Sequence, residues 1–163
     1  MLPAPLTELA AKVLDSLKAR GLRLATAESC TGGLVAAALT AIAGSSSVVD
    51  RGFVTYSNEA KAEMLGIPMP LIVDKGAVSR EVAVAMAEGA LSHSGADVAV
   101  AITGIAGPGG GSADKPVGLV HFARAATGQP TVHLQQVFEG DRDTVRLRAA
   151  MTALGLFPPR PPT

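Results

Sequence analysis

The spacing of apolar residues along the chain predicts an alternation of helices and strands. Apolar side chains repeat at helical spacing from Leu6 to Leu17 and end before Gly21, which predicts an amphipathic helix. A short strand over 22–26 and a buried, alanine-rich helix over 34–42 follow. The remaining predicted elements are a strand over 52–56, a short helix over 58–65, a loop marked by Pro68 and Pro70, a long helix from Ser79, a strand over 97–103, two strands over 117–125 and 131–138, and a last helix from about Asp141.

The apolar run over 97–103 carries almost no charge, which is typical of a central strand covered on both faces. The two later strands flank Thr127-Gly-Gln-Pro130 and predict an antiparallel hairpin. Strands that alternate with helices predict a three-layer α/β/α sandwich on a mixed, mostly parallel sheet with a C-terminal antiparallel hairpin. Since no linker or repeat interrupts the pattern, we expect a single domain over 1–157 and a proline-rich tail over 158–163.

The composition limits which partners are expected. Hydrophobic residues make up 48% of the chain and aromatic residues only 3%, so the core is built from small and branched aliphatic side chains. Charged residues are 17%, below the roughly 25% usual in soluble domains, which favours a homo-oligomer, a dimer or a tetramer. Fourteen basic residues balance fourteen acidic ones, so we expect neither a nucleic acid nor a membrane partner.

Cysteine content and apolar stretches indicate the cellular compartment. Cys30 is the single cysteine, so no disulfide forms within the chain. Apolar stretches are interrupted well before the roughly 20 residues of a membrane span, and the first residues lack a secretory pattern. These features predict a cytoplasmic protein.

The first of four polar, glycine-bearing loops is Thr26-Ala-Glu-Ser-Cys-Thr-Gly-Gly33. Hydroxyls and glycines that open a helix suit a phosphate or a carboxylate. A helix cap with glycines for close packing explains the same residues equally well. Cys30 is a rival nucleophile because a thiol at a helix N-terminus is activated, although a lone cysteine is more often a small buried apolar side chain.

The second and third loops are Gly44-Ser-Ser-Ser47 and Tyr56-Ser-Asn-Glu-Ala-Lys61. Spacing alone favours ordinary roles for both, because Gly-Ser runs end helices and lysines on helices are usually solvated. A partly desolvated lysine, however, has a lowered pKa and can deprotonate a nearby serine. A serine and a lysine together can replace the serine and histidine of other hydrolases.

The fourth loop is the glycine-rich segment over 103–112, which follows the most buried strand. Ligands of open α/β sheets bind at such a position. A flexible flap is the simpler alternative, but the length and glycine content of the segment exceed what a plain connection needs. The segment lacks the Gly-Lys-Ser/Thr ending of a phosphate-binding loop, and no helix follows it. His93, His121 and His133 are isolated and lack the spacing of metal ligands, so we expect no metal site.

The four loops, in this order, resemble the CinA C-terminal domain family. The resemblance covers residues 6–156 and is specific. The motifs that carry it are TAESCTGG (26–33), IAGSS (42–46), RGFVTYSNEAK (51–61), GAVS (76–79), IAGP (105–108) with KPVG (115–118), and GDR (140–142).

Stand-alone members of that family are nicotinamide-nucleotide amidohydrolases. The resemblance therefore implies hydrolysis of the carboxamide of nicotinamide mononucleotide to nicotinate mononucleotide and ammonia, with no metal or organic cofactor. It places the catalytic pair on Ser46 and Lys61, with Tyr56 beside them. Because Ser45 and Ser47 flank Ser46, the choice of serine rests on alignment rather than on chemistry.

The resemblance also assigns substrate contacts. It implies that Thr103, Gly104 and Arg142 bind the nucleotide, and that Ser29, Thr31 and Gly32 lie near its phosphate. Two alternatives from other classes are a non-catalytic nucleotide- or phosphate-binding module and a structural oligomerisation domain. The presence of both Ser46 and Lys61 favours the enzyme, because a pure binder needs no pair of nucleophile and base.

Overall fold

The computed structural model describes residues 1–157, so the predicted tail over 158–163 lies outside the described residues. Its elements are α1 (Ala4–Ala19), β1 (Leu24–Glu28), α2 (Leu34–Thr40), β2 (Val49–Val54), α3 (Asn58–Leu65), α4 (Met69–Lys75), α5 (Arg80–Ser92), β3 (Val98–Gly104), β4 (Leu119–Ala126), β5 (Val132–Val137) and α6 (Arg142–Leu156). A short 3-10 turn, Ser45–Ser47, precedes β2.

The strands form one sheet in the order β2-β1-β3-β4-β5. The β1 strand pairs in parallel with β2 and β3, whereas β4 is antiparallel to both β3 and β5. Four of the five strands therefore run in the same direction, and β4 and β5 form the predicted hairpin. The mixed α/β fold predicted from the sequence is confirmed.

Side chains of very different size cover the two faces of the sheet. One face carries Leu24, Val100, Ile102 and Phe122 and packs against α1, α2 and α6. The opposite face packs against α3, α4 and α5. Its central residues are all alanines, and they are Ala25, Ala27, Ala99, Ala101, Ala123 and Ala125. Because these side chains are single methyl groups, the backbone of α5 lies close to the sheet.

The helix α4 differs from the sequence prediction, which assigned the prolines of this segment to a loop. Pro68 precedes the helix and Pro70 lies in its first turn. The first N–H groups of a helix have no partner within it, so proline is tolerated there and does not break the helix.

The topology brings several loops to one edge of the sheet. The parallel strands β1, β2 and β3 end together, since Glu28 pairs with both Val54 and Ile102. The segments that follow these strands therefore meet at the carboxyl edge, where ligands of α/β sheets bind. The turn Ser45–Ser47 precedes β2 and lies at the opposite edge.

Candidate active site

The side chain of Lys61 is only 1% exposed and lies at the carboxyl edge of the sheet. Its Nζ donates to the carbonyl oxygens of Thr55 at 2.8 Å and Tyr56 at 3.2 Å, and it lies 3.0 Å from Ser29 Oγ. No ion pair forms at Lys61 within residues 1–157. Burial therefore lowers the pKa of the Lys61 amine below its usual 10.5.

This environment prepares Lys61 to accept a proton. A neutral amine has two N–H groups and one lone pair, and the two carbonyl oxygens can accept both N–H groups. The lone pair then faces the Ser29 hydroxyl. The backbone N–H of Ser29 donates to Ile102 O at 3.0 Å, which fixes the serine against β3. Ser29 and Lys61 therefore have the geometry of a nucleophile and its base.

Glu28 organises the loop that follows β1. Its carboxylate is fully buried and accepts from Thr31 Oγ1 at 2.7 Å, Val35 N at 2.9 Å and Ala36 N at 3.1 Å. The last two donors are the free N–H groups at the start of α2. The anion at this helix N-terminus is therefore an internal carboxylate, which stabilises the partial positive charge there.

The structure does not bring Thr31 and Gly32, which the resemblance places near the substrate phosphate, to the pocket beside Lys61. Neither residue lines the pocket beside Lys61, whereas Ser29 and Cys30 do. The hydroxyl of Thr31 is fully buried against Glu28. The N–H groups that the sequence suggested for a phosphate are occupied by the same carboxylate.

Cys30 is a poor nucleophile in this environment. The residue is buried and belongs to the apolar cluster under α1, α2 and α6. Burial raises the pKa of the Cys30 thiol to about 11, so the thiol stays protonated at neutral pH. The guanidinium of Arg146 donates to the carbonyl oxygens of Cys30 and Thr31 at 3.1 and 3.2 Å, which holds the loop in place.

The structure does not bring Ser46 and Lys61 together. Ser46 is exposed in the turn before β2, whereas Lys61 follows β2 and lies beside Ser29. A strand of this length separates its two ends by roughly 20 Å at about 3.3 Å per residue. Within one chain, the predicted Ser46–Lys61 pair is therefore not formed. The Gly-Ser run forms a local turn, in which Ser47 Oγ donates to Gly44 O at 3.0 Å.

A pocket of about 280 Å³ extends from Ser29 and Lys61 towards α6 and is lined by Tyr56, Thr103, Gly104 and Arg142, among others. Arg142 is the first residue of α6. Its guanidinium donates to Gly107 O at 2.7 Å and to Tyr56 Oη at 3.3 Å. Tyr56 is 63% exposed, so the Arg142 guanidinium that donates to it lies at the open mouth of the pocket.

Thr103 and Gly104, which the resemblance assigns to nucleotide binding, line the pocket and shape its walls. The hydroxyl of Thr103 donates to Ala77 O at 2.8 Å, which attaches the segment before α5 to the end of β3. A Cβ on Gly104 would lie 2.7 Å from Val120 Cγ2, so only glycine allows this strand pairing.

Sequence reasoning missed several groups of this site. The carbonyl oxygens of Thr55 and Tyr56 carry no sequence signal, because every residue has one. Ala77 and Val78, which also line the pocket, are likewise unremarkable in the sequence. Glu28 did have a signal, since it is a charged residue at the end of an apolar strand, where only a paired carboxylate is stable.

Residues 1–157 contain no group of three or more His, Cys, Asp or Glu side chains arranged to hold a metal ion. Within the same part of the chain, no helix combines the length and the apolar character that a membrane crossing requires.

The fold and the pocket define an α/β protein whose ligand site lies at the carboxyl edge of a mixed sheet. The family model described as the CinA C-terminal domain matches residues 6–158. This chain belongs to the CinA C-terminal domain family.

Relatives of known name agree with this assignment. The nicotinamide-nucleotide amidohydrolase PncC of Escherichia coli K12 is 53% identical over 154 residues, which are 94% of this chain and 93% of that protein. A CinA-like protein of Geobacter sp. strain M21 is 56% identical over 138 residues, 85% of this chain and 33% of the longer protein. The crystal structure of the competence/damage inducible protein CihA from Agrobacterium tumefaciens has a TM-score of 0.92 and 52% identity, covering 96% of this chain and 95% of that one.

Proposed function

We propose that this chain is an amidohydrolase that converts nicotinamide mononucleotide to nicotinate mononucleotide and ammonia. The similarity to the E. coli amidohydrolase supports this substrate, because it covers nearly all of both chains. The observation that carries the proposed chemistry is the contact between the buried amine of Lys61 and Ser29 Oγ at 3.0 Å.

In the first half of the proposed reaction, Lys61 Nζ accepts the proton of the Ser29 hydroxyl. Ser29 Oγ attacks the carboxamide carbon of the nicotinamide ring and forms a tetrahedral intermediate. The C–N bond then breaks, and Lys61 returns its proton to the departing nitrogen, which leaves as ammonia. The product of this half is a nicotinoyl ester on Ser29.

In the second half, water attacks the ester carbon while Lys61 accepts a proton from that water. The bond to Ser29 Oγ breaks, and the proton on Lys61 returns to the serine. Nicotinate mononucleotide is released, and both side chains recover their starting state. Backbone N–H groups of the glycine-rich segment 106–110, which lines the pocket, are suited to stabilise the negative oxygen of both tetrahedral intermediates.

We propose that Arg142 binds the substrate phosphate. Its guanidinium is permanently charged and offers parallel N–H donors, a geometry that matches a phosphate. Its position at the pocket mouth places that charge at a distance from Lys61, so the nucleotide can extend from the nucleophile to the mouth. With the start of α2 occupied by Glu28, Arg142 is the strongest anion-binding group of the pocket.

The alternative is a module that binds a nucleotide or a phosphate without hydrolysis. The contact between Ser29 and Lys61 favours the enzyme, since burying a lysine without an acidic partner is costly and contributes nothing to phosphate binding at the mouth. As an amidohydrolase of this substrate, the chain would act in the salvage and recycling of pyridine nucleotides, in the cytoplasm.

The decisive experiment incubates the purified chain with nicotinamide mononucleotide and measures ammonia and nicotinate mononucleotide. We expect the two products in equal amounts, and we expect activity to persist after treatment with a metal chelator. The matched control is Lys61→Met, which keeps a side chain of similar length and removes the base. Binding of the nucleotide without release of ammonia by the wild-type chain would favour the binding module instead.

A further inference from the structure

The strand β5 is an outermost strand of the sheet, and no other element of residues 1–157 pairs with its free side. It reads Val132-His-Leu-Gln-Gln-Val137, with neither a charged residue nor a proline. Its register with β4 continues over six residue pairs without a bulge. Edge strands of soluble proteins usually carry charges, prolines or bulges that prevent pairing with another strand, and β5 has none of these.

The other outermost strand of the sheet, β2, is protected against pairing with another strand. The strand β2 contains Asp50 and Arg51, and its register with β1 shifts after Leu24. Asp50 Oδ2 accepts from Arg51 Nε at 2.7 Å, and its other oxygen lies 3.5 Å from a guanidinium nitrogen of Arg23. These charged groups and the irregular register make β2 a poor template for another strand. The two edges therefore differ in their capacity to pair.

The backbone of β5 presents a regular set of free groups to solvent. Phe138 N donates to Gly118 O at 2.9 Å, so in the alternating antiparallel pattern residues 132, 134 and 136 face β4. The N–H and C=O groups of His133, Gln135 and Val137 face outward. None of these groups has a backbone partner among the described residues.

This outward set is complementary to itself. When a second copy of the strand is placed antiparallel and centred on Gln135, His133 faces the second copy's Val137 and Gln135 faces its own equivalent. Every outward N–H and C=O group then has a partner. The chain has no net charge, so long-range repulsion between copies is absent. Pairing also covers Val137, an apolar side chain that is 58% exposed.

The chain's own residues 158–163 do not match this edge. Their sequence is Pro-Pro-Arg-Pro-Pro-Thr, and proline has no amide hydrogen to donate to a ladder. A second copy of β5 supplies all three outward N–H groups and all three carbonyls. We propose that the chain forms a two-fold symmetric dimer in which β5 pairs antiparallel with β5 of a second copy, centred on Gln135.

Sedimentation velocity with two charged variants tests this dimer. Gln135→Lys or Gln135→Glu alone places like charges opposite each other at the axis, which destabilises the ladder. At micromolar concentration we expect the wild type at twice the chain mass of 16.4 kDa and each variant at the single-chain mass. We expect each variant to dimerise at least about tenfold more weakly. An equal mixture places lysine opposite glutamate and regains the dimer.

Gln129→Lys is the matched control, because it adds the same charge in the turn before β5, outside the ladder. We expect this variant to remain dimeric. Hydrogen exchange gives a second measurement that needs no variant: the amides of His133, Gln135 and Val137 become protected as concentration rises. A monomeric wild type, a dimer unaffected by either charge, or a mixture that stays monomeric would overturn the proposal.

Discussion

Lys61 Nζ lies 3.0 Å from Ser29 Oγ, although 32 positions separate the two residues in the sequence. Both follow parallel strands that end at the same level of the sheet, where Glu28 pairs with Val54. The lysine donates to carbonyl oxygens and has no acidic partner in residues 1–157. The contact therefore brings an amine of lowered pKa to a hydroxyl group, which distinguishes it from a surface ion pair.

Replacement of Ser29 tests the nucleophile. We expect Ser29→Ala to lower kcat at least about a thousandfold, because the attacking oxygen is lost. Adding Lys61→Met should lower it little further, since a nucleophile and its base act as one unit. Release of ammonia from nicotinamide mononucleotide measures both effects.

The matched controls for this prediction are Ser46→Ala and Cys30→Ala. Ser46 lies at the other edge of the sheet, and the thiol of Cys30 is protonated at neutral pH, so both variants should retain most activity. An inactive Ser46→Ala together with an active Ser29→Ala would contradict the assignment.

The pH dependence of activity follows from the lowered pKa of Lys61. Because the proposed base is the neutral amine, kcat/KM should rise with pH, and the midpoint should lie below the usual lysine value of 10.5. A pH profile of ammonia release measures this midpoint. A rise centred at 10.5 or above would show that burial does not control this amine.

Stability should depend on the same proton. Since the folded pKa is lower than the unfolded one, the unfolded chain binds more protons between these two values. The free energy of unfolding of the wild type, relative to Lys61→Met, should therefore rise with pH from the lowered pKa up to about 10.5. Urea denaturation of the wild type and of Lys61→Met across this pH range measures the difference in their free energies of unfolding. A difference that does not change with pH would show that the pKa of Lys61 is the same in the folded and unfolded chains.

Replacement of Arg142 tests the phosphate contact. We expect Arg142→Ala to raise KM about 10- to 100-fold with a smaller change in kcat, since hydrogen bonds to charged groups contribute about 1.5–3 kcal/mol. Tyr56→Phe is the control, because it removes only the hydroxyl that accepts from Arg142. For the wild type, removing the phosphate from the substrate should raise KM by about the same factor as Arg142→Ala does with the complete substrate. An unchanged KM in Arg142→Ala would place the phosphate elsewhere.

Replacement of Glu28 tests the internal anion at α2. Glu28→Gln replaces an oxygen that accepts hydrogen bonds by an NH₂ group that faces the donors of Thr31 and α2. We therefore expect a loss of about 1–3 kcal/mol in the free energy of unfolding. Thr31→Val removes one of the three hydrogen bonds and should cost about 1 kcal/mol. Chemical denaturation measures both. Equal losses in the two variants would mean that the backbone donors of α2 do not depend on this carboxylate.

The sequence predicted most of the fold because the periods of its apolar residues are clear. The uncharged strand β3 and the hairpin of β4 and β5 lie close to their predicted positions. The helix α4 was missed because prolines mark loops and first helical turns alike.

The candidate site was predicted only in part. Lys61, Tyr56, Thr103 and Arg142 line the pocket, but Ser46 does not. The order of elements already indicated that Ser46 and Lys61 do not meet within one chain, because a residue that precedes a strand and a residue that follows it lie at opposite ends of that strand. The role of Thr31 could not be read from the sequence, since a helix N-terminus accepts a ligand anion and a nearby glutamate equally well.

The alanine-lined face of the sheet has a thermodynamic consequence. An alanine side chain has no rotamers to restrict, so ordering these six positions costs no side-chain conformational entropy. The helix α5 rests on this face, and the segment before it forms the pocket wall that Thr103 holds through Ala77. The pocket wall beside Ser29 is therefore supported, on the side of the sheet, by side chains that have no rotamers to change.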